Sequence, residues 1–456
     1  MSLRIIKYLK SLQNVVVKKR EKVLSSVFFR HVSFLTFSNA ATAFLGIVQT
    51  LVIARWLGPE KYGIVALIIN YPQLIYSILN VRTIEGTTKF LSEFKVIKDL
   101  PKIISICKIS YTLDVTISCL TFLIVMMTSP WAAKSLFKQP SIAPLMTLYT
   151  LSFFAGGFYN TSYAILATFY QFSLLAWTNL VFRSIQFFVV IFLTHFYGVT
   201  GVILGMILGT VMQAMFITYL AYQIIGTKWK EFLTIRPLLI LKGRLKELFQ
   251  FYLLTSITLL VALPIQQLDI TLIGYFRKPS EVGCYKIAKT IASSLIYLVD
   301  ALQQVSYPRL ASEWVQDRAC FIHRLKRLTL LGVTLGALAL STIVFAVSVP
   351  KVLLGRHFNE AISPLIWLWI AFSLRVTFFW LRPFFLSTGK VGFWFGLQSS
   401  GVIMGMMVMF SGAMLWGANG VALSVLIYYV FIFLFGVPTS YTLCYRKGIK
   451  NNVSLY

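Results

Sequence analysis

Charge is scarce in this sequence. Asp, Glu, Lys and Arg make up 12% of its 456 residues, and only 14 of them are acidic. Soluble globular domains carry about a quarter charged residues, so this composition excludes a water-facing surface all round. Histidine is scarcer still. The four residues, His31, His195, His323 and His357, form no His-Glu-x-x-His pair, and nothing points to a helical zinc site. The five cysteines, at 107, 119, 284, 320 and 444, show neither Cys-x-x-Cys nor metal spacing, which argues against a disulfide framework and against zinc. Gly389-Lys390-Val391-Gly392 lacks the P-loop spacing and its following Ser or Thr, so ATP hydrolysis is not indicated. The sequence therefore predicts no catalytic residue, no metal ligand and no cofactor.

What the sequence has in excess is apolar. Hydrophobic residues reach 58%, aromatic residues 15%, and the mean hydropathy is +0.78. Many stretches exceed the roughly 17 residues that a membrane-spanning helix requires. Spans are expected at 31–54, 63–82, 103–128, 141–164, 175–197, 199–222, 249–276, 283–305, 328–349, 361–382, 391–416 and 419–444, numbered here as helices 1 to 12. The fold class is thus an all-α polytopic membrane protein. No connecting loop leaves room for a soluble catalytic domain.

The net charge of +28 comes from 42 Lys and Arg, which in a soluble protein would suggest nucleic-acid binding. Their placement excludes that. With the N-terminus inside, 30 basic residues fall in cytoplasmic segments and 10 in outer ones, as the positive-inside rule requires when both termini are cytoplasmic. Residues 1–30 carry eight of them before the first long apolar stretch and no cleavage site follows. This segment reads as a basic amphipathic helix on the cytoplasmic face, with Leu3, Ile6, Leu9 and Leu12 toward lipid. The expected domains are this segment, a first lobe at 31–222, a basic cytoplasmic linker at 223–248, a second lobe at 249–444 and a cytoplasmic tail at 445–456.

Sliding the chain along itself by 220 residues exposes an internal repeat. Pro59 and Gly63 fall on Pro279 and Gly283, Lys89–Phe94 on Arg309–Trp314, Pro130 on Pro350, and Pro144-Leu145 on Pro364-Leu365. With one residue of slip, Tyr197-Gly198-Val199-Thr200-Gly201 falls on Trp416-Gly417-Ala418-Asn419-Gly420. Two six-helix lobes follow. Because six is even, they are parallel repeats about an axis along the membrane normal, with a cavity between them.

The stretch Arg55-Trp56-Leu57-Gly58-Pro59-Glu60-Lys61-Tyr62-Gly63 resembles the Arg-x-Leu-Gly-Pro-x-x-Tyr-Gly signature of polysaccharide (O-antigen, Wzx-type) flippases of the MOP exporter superfamily. Asp269–Gly274 and Val282–Tyr285 are similar to the matching segment of that family's second half, with Tyr275–Lys278 standing where a Gly-rich turn is usual. The resemblance implies a flippase that carries a polyprenyl-diphosphate-linked oligosaccharide across the bacterial inner membrane by rocking alternating access. Its implied partners are that glycan, membrane lipids, and a polysaccharide polymerase or glycosyltransferases.

Polar residues inside spans mark the faces that avoid lipid. Asn39, Thr42, Gly46 and Gln49 form one stripe on helix 1; Thr255, Thr258, Ala262, Gln266 and Asp269 form another on helix 7. Both read as cavity lining, with polar helix packing as the alternative. On helix 8, Lys286, Lys289, Ser293, Tyr297, Asp300 and Gln304 share a face. A Lys facing lipid at mid-membrane costs about 2.5–3.5 kcal/mol, so this stripe should face water or an anion, unless Lys286 snorkels to the interface. Arg183 and Arg375 lie near the middles of helices 5 and 10, suited to a diphosphate or to pairing with Asp114, Asp269 or Asp300. The candidate substrate-binding set is Lys286, Lys289, Arg375, Arg183, Gln49, Asp269, Asp300 and Asn39. Arg55 and Arg82 read as interfacial anchors, and the aromatics as packing or lipid-facing residues.

Three other functions remain open. A multidrug and toxin extrusion antiporter would bind cations through carboxylates, with Asp114 as the first-lobe candidate. A lipid II flippase usually shows fourteen helices. A membrane-embedded polymerase or ligase would need a large outer loop, which the spans leave no room for.

Overall fold

A computed structural model describes residues 2–225, 240–316 and 318–451. Among these residues every regular element is helical and there is no strand. The helix Ser2–Leu79 breaks at Gly58, whose φ of 74° is open to glycine, and Pro59 starts the next turn. Helices 1 and 2 are its two parts. Helices 5 and 6 are likewise the two parts of Phe172–Ile225, broken at Gly198.

Helix 3 is Leu100–Trp131, and helix 4 follows in two pieces, Ala143–Tyr149 and Leu151–Thr168. Asp99 caps helix 3 by accepting from the Lys102 amide at 3.1 Å, and Lys102 Nζ stands 2.7 Å from it. These bonds hold the Asp99 carboxyl below the usual carboxylate range. In the second half, helix 7 is Leu245–Phe276, and helix 8 combines Pro279–Ala292 with Ser294–Gln316. Helix 9 runs from Arg318–Ser341 into Ile343–Val349 with a 43° bend. Helix 10 is Ile362–Thr377 and Leu381–Ser387, helix 11 Val391–Trp416 and helix 12 Ala418–Asn451.

Seven of the described helices are long and apolar enough to cross a membrane. Two of the seven, 37–79 and 172–225, hold two spans each, and helix 9 is a bent span. Helices 7 and 8 complete the expected twelve. Large apolar side chains such as Phe188, Phe196, Met215, Phe345, Met407 and Leu415 are more than 60% exposed. This is the outward face that a bilayer covers.

The repeat is visible in the backbone. Gly198 and Gly417 adopt nearly the same left-handed geometry, φ 54°, ψ −127° and φ 58°, ψ −131°. Both Pro130 and Pro350 lie at five-residue π turns, Ala132–Leu136 and Pro350–Leu354. Each half also has an acidic residue at the equivalent place, Glu93 and Glu313, paired with Arg244 and Arg324.

Two stretches outside the expected spans are helical. The connecting segments at 82–102 and 306–327 are mostly helical: Thr83–Ile97 is a separate helix, and its counterpart continues helix 8 to Gln316. Residues 2–30, read as a separate surface segment, run as helix directly into the first span. Their side chains, and residues 226–239 of the expected linker, lie outside the described residues. Helix 7 also reaches across the boundary between the lobes. Its start packs into the first lobe, where Leu248 and Tyr252 join Phe90, Phe94 and Ile106 in one apolar cluster.

Candidate functional site

The lobes meet on the face opposite the basic loops. There helix 2 and helix 8 approach so closely that Gly63 and Gly283 each abut the other helix's backbone. Below this contact the helices part around a cavity of about 500 Å³, bounded by helix 2 of the first lobe and helices 7, 8, 10 and 12 of the second. A second cavity of about 360 Å³ continues toward the basic face and shares Gln266, Arg375, Tyr428 and Tyr429 with the first.

Five of the eight sequence candidates reach this space: Lys286, Lys289, Asp269, Asp300 and Arg375. The helix 8 face follows from helical spacing, and the turn at Ser293 redirects its lower half. Lys289 Nζ lies 2.5 Å from Asp269 Oδ2 and donates to the Gln266 carbonyl at 2.7 Å. Tyr285 donates to the same carboxylate oxygen at 2.8 Å, and the Ile270 amide donates to the other oxygen. Asp269 is fully buried. Its carboxylate is therefore engaged by Lys289 and Tyr285 at the cavity wall. A buried carboxylate with one cation and two further donors is a satisfied pair.

Arg375 spans the boundary of the two cavities. One guanidinium nitrogen lies 3.5 Å from Asp300 and another donates to the Tyr429 hydroxyl at 3.2 Å. Lys286, one turn above Lys289, is different. Among the described residues no carboxylate or other acceptor contacts its ammonium. Three cations thus face two carboxylates in the first cavity, and the surplus belongs to Lys286.

The other three candidates lie elsewhere. Arg183 donates to Gln186 at 2.5 Å and closes against Gly46, where a Cβ would meet its guanidinium at 2.8 Å. It pairs with none of Asp114, Asp269 and Asp300 and lines neither cavity. Gln49 is buried in the first lobe with its amide oxygen unpartnered, and Asn39 is exposed away from both cavities. Next to the helix 1 stripe, Ser38 donates to the Ala176 carbonyl of helix 5 at 2.7 Å.

The sequence reading missed Asn70, Gln73, Tyr285, Arg82 and Arg382. Asn70 bonds the Gln267 carbonyl and Thr271 of helix 7, each at 3.0 Å, and so ties the lobes beside the cavity. Arg82, read as an interfacial anchor, and Arg382 both line the second cavity. Aromatic residues also divide. Phe379, Trp380, Phe384 and Phe385 are buried core, whereas Phe378 stacks on Phe433 at 4.2 Å in the second cavity's wall.

A family profile described as polysaccharide biosynthesis protein matches residues 52–363, well over half of the chain. The chain belongs to this family. No curated protein matches it by sequence. This polysaccharide biosynthesis protein shares its fold with the lipid II flippase MurJ in an inward closed conformation, at 15% identity over 88% of this chain and 87% of that one, TM-score 0.67. An inward-facing multidrug resistance MATE family transporter of the MOP superfamily gives 14% identity, 88% and 94% coverage, and TM-score 0.67. An outward-facing one gives 13%, 91% and 95%, and 0.58. The family member is thus a multi-pass membrane protein with the two-lobed, twelve-helix MOP transporter fold.

Proposed function

We propose that this chain is a flippase that moves a polyprenyl-diphosphate-linked oligosaccharide across the bacterial inner membrane. The basic face is cytoplasmic in this reading, both termini included. The observation that carries it is the unpartnered ammonium of Lys286 in a cavity between the lobes. An intramembrane lysine without a protein carboxylate is stabilised by an anion or by water, and a diphosphate supplies both charge and acceptors. Arg375 lies on the same wall and offers a planar fork for phosphate oxygens. The glycan occupies the hydrated space beside amides such as Asn70 and Gln266, and the prenyl tail stays in lipid.

A cation antiporter is less well supported. Such a site needs a carboxylate free to bind, and both cavity carboxylates already face cations: Asp269 faces Lys289, and Asp300 faces Arg375. Asp114 is buried in the first lobe, accepting from Thr83 at 2.8 Å and Thr161 at 2.6 Å, apart from both cavities.

The test is flipping of a polyprenyl-diphosphate oligosaccharide by the full chain in liposomes, read by enzymatic access to the glycan. Transport by the wild type and loss in Lys286→Gln is the expected result. Lys286→Gln flipping at the wild-type rate would overturn the assignment.

A further inference from the structure

The second cavity carries a feature that the central site does not use. Its mouth is flanked by Arg82, which caps the helix Thr83–Ile97 just after helix 2 in the first lobe, and Arg382, near the end of helix 10 in the second. Its wall includes no Asp or Glu. Arg82 has a carboxylate neighbour, Glu85 at 2.8 Å, which lies one turn along on the Arg82 side of the gap. Arg382 has no ion pair or hydrogen bond among the described residues, and it lies within the electrostatic reach of Arg82, of Asp300 and of Arg375, the last two being paired with each other. Two guanidinium groups from different lobes thus face one space whose wall carries no carboxylate, the nearby Asp300 being engaged by Arg375.

The lobes already touch at the opposite face through Gly63 and Gly283. A rocking motion about that contact would narrow this mouth and bring Arg82 toward Arg382. Like charges repel more strongly as the gap closes and water leaves. An anion held between them reverses the sign of that interaction.

We propose that Arg82 and Arg382 form a second anion site, which receives the diphosphate of the lipid-linked substrate and permits the mouth to close only when that diphosphate is bound. The site rests on the flippase reading above and deepens it. It adds a loading position ahead of Lys286, with Arg375 common to both cavities as the group that passes the anion inward. The site binds by charge and bidentate hydrogen bonds, so no bond is made or broken.

The experiment is hydrogen–deuterium exchange of the full chain in phosphatidylcholine nanodiscs, read at residues 80–87 and 386–395, with and without undecaprenyl diphosphate. In the wild type the lipid is expected to slow exchange at both segments. Arg82→Glu creates an opposite-charge pair and should slow exchange without any ligand. Arg82→Glu with Arg382→Glu should restore fast exchange, and Arg82→Gln with Arg382→Gln should bind undecaprenyl diphosphate about tenfold more weakly. Slowing by inorganic diphosphate supports the site as well and assigns recognition to the headgroup. The same slowing by phosphatidylglycerol at equal charge would overturn it, as would a doubly neutral variant that binds normally. Lys286→Gln separates the two readings. Normal flipping by that variant removes the central site and leaves the mouth result standing, whereas normal flipping and normal binding by the doubly neutral variant removes the mouth site alone.

Discussion

Gly63 and Gly283 are equivalent positions of the internal repeat, and they meet each other across the boundary between the lobes. A Cβ on Gly63 would lie 1.7 Å from the Pro279 carbonyl oxygen, and one on Gly283 would lie 2.1 Å from that of Pro59. The obstructing atoms are backbone, so no rotamer change relieves them. Glycine at both sites is what allows helices 2 and 8 to close the face opposite the basic loops.

Gly63→Ala should therefore open that face. Overpacking of this kind costs about 1–3 kcal/mol, which shifts a two-state population roughly five- to 150-fold. The measurement is labelling of Ile69→Cys, a cavity position, by an impermeant thiol reagent added outside intact cells. Faster labelling in the Gly63→Ala background is expected, and an unchanged rate would rule out the gate.

Lys98 ends the helix Thr83–Ile97 in a left-handed turn on the basic face and is exposed. Lys98→Cys should react with an impermeant reagent only after the cells are permeabilised, because the basic loops are expected to be cytoplasmic. Labelling in intact cells would invert the orientation.

Arg375 borders both cavities and holds Asp300 and Tyr429. Arg375→Lys keeps a charge and loses the fork, so transport should fall about tenfold. Arg375→Ala also leaves Asp300 unpaired and should abolish transport. Surface polysaccharide in a complementation assay, normalised to protein amount, reads both. If Arg375→Ala with Asp300→Asn transports normally, Arg375 serves the ion pair and not the substrate.

The fold was legible because its signals are additive along the chain. Each span is an apolar run, and the repeat shows in punctuating residues such as Pro59, Gly63, Pro279 and Gly283, whose backbone role survives divergence of the side chains. Helix faces were legible where the polar residue is costly in lipid, as Lys286 and Lys289 are. Asn39 and Gln49 share a stripe in sequence but not an environment, Asn39 being exposed and Gln49 buried, because a polar stripe looks the same whatever each of its residues meets. Partners were invisible for a further reason. Lys289 pairs with Asp269, 20 residues away on another helix, and Arg82 shares a cavity with Arg382, 300 residues away. Spacing along one helix reports neither.

Lys286 and Lys289 share a face, yet the structure gives them different work, and substitution should separate them. Lys289 neutralises Asp269, whose side chain is 1% exposed. Lys289→Gln leaves that carboxylate with the Tyr285 hydroxyl and a backbone amide alone. Removing one partner of a buried pair costs about 3–5 kcal/mol, and the quarter exposure of the Lys289 side chain favours the lower end. The purified variant should unfold at a lower temperature, and Asp269→Asn added to it should restore most of the loss by removing the stranded charge. Lys286 has no such debt, so Lys286→Gln should keep wild-type thermal stability and lose transport about tenfold or more, one charge-assisted contact being worth about 1.5–3 kcal/mol. The pair of measurements is unfolding temperature and complementation of surface polysaccharide. A Lys286→Gln variant that unfolds early would make that lysine a structural residue, and a Lys289→Gln variant as stable as the wild type would remove the structural role of the Lys289–Asp269 pair.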